Sequence, residues 1–131
     1  MATDSLRVSA TFPVPPADLY ARWLSSEGHA ELTGAGAEVD GRVGGRHAAW
    51  DGYIEGETLE LDPGSRIVQS WRTAEFPDGA PDSRLEVLFE AVPEGSRVTL
   101  VHTEIPAGQG ERYLQGWEEY YFSPMRARFG G

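Results

Sequence analysis

The segment from Gln109 to Phe129, QGERYLQGWEEYYFSPMRARF, constrains the fold more than any other part of the chain. Its large apolar residues are Tyr113, Leu114, Trp117, Tyr120, Tyr121, Met125 and Phe129. Their spacing, mostly three or four residues, is the one that gathers side chains on one face of a helix. A stripe this aromatic must be buried against another layer. Apart from a short helical piece near the N-terminus, the rest of the chain reads as strands and turns. The implied class is α+β, with a curved antiparallel β-sheet wrapped around a long C-terminal α-helix. Two residues disturb that helix. Pro124 has no amide hydrogen and clashes with the preceding turn, which predicts a kink or break near Tyr120 to Ser123. Gly116 costs about 1 kcal/mol of helix propensity, a cost that a close approach to another backbone would explain.

At the other end, Leu6, Val8, Ala10 and Phe12 alternate with Ser5, Arg7, Ser9 and Thr11, the pattern of a half-buried strand. Pro13, Pro15 and Pro16 stop it. Pro16 and Asp18 suit a helix start, so a short helix from Pro16 to Leu24 presents Leu19, Tyr20 and Trp23 on one face. Ser25 or Ser26 caps a second short helix that ends before Gly34. Short strands follow at Glu38 to Asp40 and His47 to Trp50, joined across Gly44-Gly45. Longer ones run from Tyr53 to Leu61, Ile67 to Arg72, Arg84 to Val92 and Arg97 to Glu104. Asp62-Pro63-Gly64 and Pro93-Glu94-Gly95-Ser96 are the turns between them, and Phe76 to Asp82 is a polar loop. No repeat or linker interrupts this order, so residues 1–131 read as a single domain.

Several motifs fall in a recognisable order. Gly44-Gly45 precedes a short strand, Gly56 lies in the long strand, Asp62-Pro63 is in its turn, and Trp71 ends the next strand. Ser96 to His102 (SRVTLVH) is a strand, and Gly116-Trp117-Glu118 with Tyr120-Tyr121 lies in the last helix. In these residues the chain resembles the START-like superfamily, also called SRPBCC or helix-grip. Within it, the chain is similar to the activator of heat-shock-protein-90 ATPase homologue-like family. The resemblance covers nearly the whole chain. Leu32 stands where the family often has a tryptophan, and Tyr20 where one is common in the first helix. The resemblance implies the helix-grip fold and, as one possible role, a protein-interaction module acting on a chaperone ATPase. The superfamily also hosts ligand carriers, cyclases and receptors, so the fold by itself does not assign an activity.

The formal charge of −10 argues against nucleic acid and anionic membrane as partners, since both require Lys and Arg surfaces. The chain has no cysteine, which removes thiol nucleophiles, disulfides and Cys-based metal sites. No signal pattern or long apolar run is present, and a cytoplasmic protein is the expectation. Neither a metal nor a cofactor is expected, because no phosphate-binding, dinucleotide or nucleophile-elbow motif occurs. Self-association into a homodimer stays open.

The remaining function class is binding in a cavity between sheet and C-terminal helix. Strand parity points Gln69 and Trp71, Val87 and Phe89, and Leu100 and His102 inward. Trp23 comes from the first helix, and Tyr113, Trp117, Tyr120 and Tyr121 from the last. Together these eleven are the expected lining for a small hydrophobic or aromatic molecule. The alternative is that they pack solidly as core. His102 is the titratable residue of interest, either as a proton-transfer group in a cyclase- or hydrolase-like enzyme or as a histidine satisfied by its neighbours. Catalysis is not assumed. His29-Ala30-Glu31 resembles a deaminase fragment but has no accompanying ligands. In the strand from Tyr53 to Leu61 the inward face is ambiguous, because Glu55 and Glu57 share parity with Leu59 and Leu61, while Ile54, Gly56, Thr58 and Glu60 share the other.

Overall fold

The alternating N-terminal segment forms the first strand, β1 (Thr3–Phe12), in a computed structural model that describes residues 3–130. After it come α1 (Pro16–Trp23) and α2 (Ser26–Thr33). Pro16 opens α1, where the missing amide hydrogen costs nothing. The Ser25 hydroxyl caps α2 by accepting from the Gly28 amide at 2.9 Å, and Gly34 closes it in the left-handed conformation.

The strands β2 (Glu38–Val39), β3 (Arg46–Ala49), β4 (Ile54–Asp62), β5 (Arg66–Thr73), β6 (Ser83–Val92) and β7 (Gly95–Pro106) complete the sheet. Its seven strands run in the order β1-β7-β6-β5-β4-β3-β2, and every neighbouring pair is antiparallel. Between β3 and β4 lies a tight turn, Trp50–Gly52, whose three residues have left-handed φ. Trp50 therefore leaves the strand in which its sequence placed it.

The ambiguity of β4 resolves through a β-bulge between Thr58 and Glu60. Before the bulge Ile54, Gly56 and Thr58 face inward; beyond it the parity changes, and Leu59 is left exposed while Leu61 is half-buried. Glu55 and Glu57 stay in water, so no carboxylate of this strand is buried. Gly56 is required, because a Cβ there would collide with the Ser70 carbonyl and the His47 ring on the neighbouring strands.

The C-terminal segment is one continuous helical rod in three parts: α3 (Gly110–Trp117), a π-helical turn (Glu118–Phe122) and α4 (Ser123–Phe129). It begins on β1, where the Asp4 carboxylate accepts from the amides of Gly108 (3.0 Å) and Gly110 (2.8 Å) and so caps α3 from across the fold. The expected break near Tyr120 to Ser123 is instead this π turn, with helical backbone angles at Phe122 and Ser123. The wider turn absorbs the bond that Pro124 cannot donate, and Pro124 then sits in the first turn of α4, where it is tolerated.

The π turn also corrects the stripe. Tyr113, Trp117, Tyr121 and Met125 are buried as spaced, but Tyr120 is 49% exposed and Leu114 40% exposed. Phe122, which the three-and-four pattern omitted, is 2% exposed and packs on Phe12 with ring centroids 5.9 Å apart. A turn with i→i+5 bonding rotates Tyr120 outward and brings Phe122 inward onto Phe12. The helix closes over the inward residues of the sheet as the helix-grip fold requires. Each large apolar side chain buried there contributes roughly 1.5–3 kcal/mol of transfer free energy.

Candidate functional site

Trp117 divides the interface between helix and sheet. On one side of it every buried side-chain polar atom among the described residues has a partner. The Trp117 indole N–H donates to His102 Nδ1 at 3.1 Å. His102 Nε2 therefore carries the ring proton and donates to Ser83 Oγ at 2.8 Å, whose own O–H donates to the Trp71 carbonyl at 2.6 Å. The direction of this relay is fixed at both ends, since an indole N–H only donates and a carbonyl only accepts. Burial pushes the His102 pKa down to about 3. The ring is neutral at physiological pH and keeps no free nitrogen for proton transfer with a substrate.

His29 is held in the same way with the opposite tautomer. Its Nδ1–H donates to the Trp23 carbonyl at 3.0 Å, and its Nε2 accepts from the Tyr121 hydroxyl at 2.7 Å. Burial lowers its pKa to about 4 against the opposing effect of the carbonyl, and burial likewise raises that of Tyr121. Its sequence neighbour Glu31 faces elsewhere, on Arg22 (2.7 Å) and Arg128 (3.1 Å). The Gln69 amide bridges Trp23 Nε1 (3.1 Å) and Thr58 Oγ1 (3.2 Å), tying α1 to the sheet. Val87, Phe89 and Leu100 fill the same core. Of the expected lining, Trp23, Gln69, Val87, Phe89, Leu100 and His102 therefore sit in this closed part.

On the other side of Trp117 the surfaces do not meet. A groove of about 440 Å³ opens between the start of β4, the end of β5 and the helix. Trp71, Tyr113, Trp117, Tyr120 and Tyr121 line it, the other five of the expected residues. Their rings interlock, with Trp71 5.0 Å from Tyr113 and 5.4 Å from Trp117, and Trp117 4.9 Å from Tyr121. The rest of the lining comes from Trp50, Tyr53, Ile54, Glu75, Arg112 and Gly116, which sequence reasoning missed. Asp51-Gly52 after Trp50 is a turn signal that would have detached Trp50 from its strand. Nothing local in the sequence brings Glu75 to Arg112.

The groove's mouth is polar and internally balanced. Glu75 accepts from Arg112 at 2.8 Å and from the Tyr53 hydroxyl, whose pKa is pushed up to about 12 by burial and by that carboxylate. Tyr113 receives the Thr73 hydroxyl at 2.7 Å and donates to Gln109 Oε1 at 2.8 Å. Trp50 differs. It packs edge-to-face on Tyr120, with centroids 5.3 Å apart. Among the described residues, its Nε1 is the buried side-chain polar atom without a hydrogen-bond partner. The aromatic walls of the groove can hold an apolar, planar group.

Comparison with known proteins gives concordant results. A family described as Activator of Hsp90 ATPase homolog 1-like protein matches residues 13–130. The Activator of 90 kDa heat shock protein ATPase homolog 1 of Homo sapiens is 30% identical over 128 residues, which cover 98% of this chain and 38% of that protein. The chain thus spans well under half the length of this relative. The crystal structure of an HSP90 activator from Plasmodium falciparum superposes with a TM-score of 0.84 at 27% identity, covering 95% of this chain and 94% of that one. The Aha1 dimer from Colwellia psychrerythraea shares the fold at 13% identity, with a TM-score of 0.77 and coverage of 95% and 96%. No helix among the described residues is long and apolar enough to cross a membrane.

Proposed function

Because the chain belongs to the Activator of Hsp90 ATPase homolog 1-like family, we propose that it acts as a protein-interaction module on a chaperone ATPase of the Hsp90 class, as a single cytoplasmic domain. The observation that carries this reading is the match to a named activator along almost the whole chain. The interlocked core supports it physically: a rigid scaffold presents a fixed surface, with exposed Tyr53 and Tyr120 at 38% and 49% as candidate anchors. The test is the ATPase rate of an Hsp90-class chaperone with and without this protein. A several-fold stimulation together with a complex detected by calorimetry is expected; an unchanged rate with no complex contradicts the reading. A homodimer, as in the Colwellia protein, is consistent with this role and is read by sedimentation.

The groove favours a second reading, binding of a small hydrophobic or aromatic molecule. Its volume and aromatic lining suit such a ligand, and the neutral, fully bonded His102 favours binding over turnover. Native mass spectrometry of the gently purified protein is expected to show a retained small molecule. A uniformly unliganded protein that also takes up no aromatic compound on titration counts against it.

A further inference from the structure

The two edges of the seven-stranded sheet are finished differently. At one edge β2 is two residues long, and the Ser26 hydroxyl closes it, accepting from the Val39 amide at 2.8 Å and donating to the Val39 carbonyl at 3.4 Å. At the other edge β1 runs for ten residues and contains no proline. It pairs with β7 along one side. Among the described residues, no backbone hydrogen bond leaves its other side between Ser5 and Thr11. A long edge left unblunted is a template for another strand. The seam beside it is open as well. Leu6, Val8 and Ala10 face inward from β1 but are only half-buried, whereas their partners on β7, His102, Leu100 and Val98, are fully buried. Across the seam, Leu114 of the helix is 40% exposed. It lies one helical turn after Gly110, where a Cβ would collide with Asp4, and before Phe122, which packs on Phe12, so this side of the helix is turned toward β1.

We propose that β1 pairs antiparallel with β1 of a second copy of this chain, joining the two sheets across a two-fold axis through Val8. This names the interface of the homodimer considered above and rests on that reading, not on the chaperone or the groove. The strand is self-complementary in this register. Arg7 stands opposite Ser9 of the partner subunit, Leu6 opposite Ala10 of the partner subunit, and the two Val8 side chains meet on the axis. Moving the axis to Arg7 would set two like charges directly opposite each other. From Ser5 to Phe12 there is no carboxylate, in a chain whose net charge is −10. Two such acidic bodies repel over most of their surfaces, so this edge is where a second copy can approach. The inward side chains of the incoming strand continue the seam and cover Leu114. A single strand pair is small for a specific interface, which makes the dimer weak, with a dissociation constant on the order of 10 μM.

Sedimentation velocity of the full chain from about 1 to about 500 μM tests the dimer. A mass that rises with concentration is expected; a monomer throughout overturns the homodimer and this inference together. The register is read by cross-linking, which the absence of native cysteine makes unambiguous. Val8→Cys, on the axis, is expected to give a disulfide-linked dimer under mild oxidation. Thr11→Cys, three residues from the axis, keeps its two thiols on the order of 20 Å apart and is expected to stay unlinked. Equal or greater linkage of Thr11→Cys, or no linkage of either variant in a protein that still dimerises, overturns the β1 pairing and leaves the homodimer standing. Leu114→Ser, at an exposed helix position, is expected to keep the fold, read by its unfolding temperature, and to dimerise about tenfold more weakly. Undiminished dimerisation of that variant overturns the covering of Leu114.

Discussion

On one side of the Trp117 indole the helix and sheet are closed upon each other, and on the other they stand apart. The closed side contains two histidines, a glutamine, a serine and a buried tyrosine hydroxyl, and all are bonded. The open side contains, among the described residues, the one buried side-chain N–H without a partner, a glycine that no packing contact demands, and a left-handed tryptophan. Buried polarity is thus spent on uniqueness where the fold is locked. Histidine, the residue type most often suspected of chemistry, is structural here, whereas the tryptophan carries the unmet hydrogen-bonding capacity.

The contrast can be broken most severely at its dividing residue. Trp117→Ala removes the 2%-exposed indole and strands His102, and should cost about 3–5 kcal/mol in denaturant unfolding, with both sides loosened. Acid attacks the closed side through its two buried histidines. The folded pKa values of His29 and His102, about 4 and about 3, lie below the ordinary imidazole value, so the unfolded chain takes up these protons first. Their stabilising contribution is complete above about pH 6.5 and is lost as the pH falls towards those values. By pH 5 the two rings together should forfeit on the order of 4 kcal/mol, read as a falling denaturation midpoint, and nitrogen chemical shifts should show both rings still neutral there. Gln69→Leu should cost about 2 kcal/mol, because it leaves the Trp23 N–H and the Thr58 hydroxyl buried without partners. The smallest effect has the opposite sign: Gly116→Ala on the open side should stabilise the protein by up to about 1 kcal/mol, seen as a rise of a few degrees in Tm.

Much of the fold was legible because alternation and helical spacing are local signals. The inward sets of β5, β6 and β7 and most of the C-terminal stripe follow from them directly. Where local geometry changes period, those signals mislead. The π turn exchanged Tyr120 for Phe122, and the bulge in β4 divided one strand into two parities. The candidate site was legible only in its aromatic half. Trp71, Tyr113, Trp117, Tyr120 and Tyr121 announce themselves by type and spacing, whereas Glu75 and Arg112 meet only through tertiary structure, 37 positions apart. At Gly116 the helix glycine implied a close backbone approach, whereas a Cβ there would meet only the Tyr120 ring, at 3.8 Å.

The division at Trp117 is tested most directly by hydrogen exchange of the tryptophan indole N–H groups. The account predicts that Trp23 and Trp117, bonded to Gln69 and His102, exchange only through global unfolding, while Trp50 exchanges orders of magnitude faster through local opening of its turn. Equal protection of all three, or a Trp117 that exchanges as fast as Trp50, would contradict it.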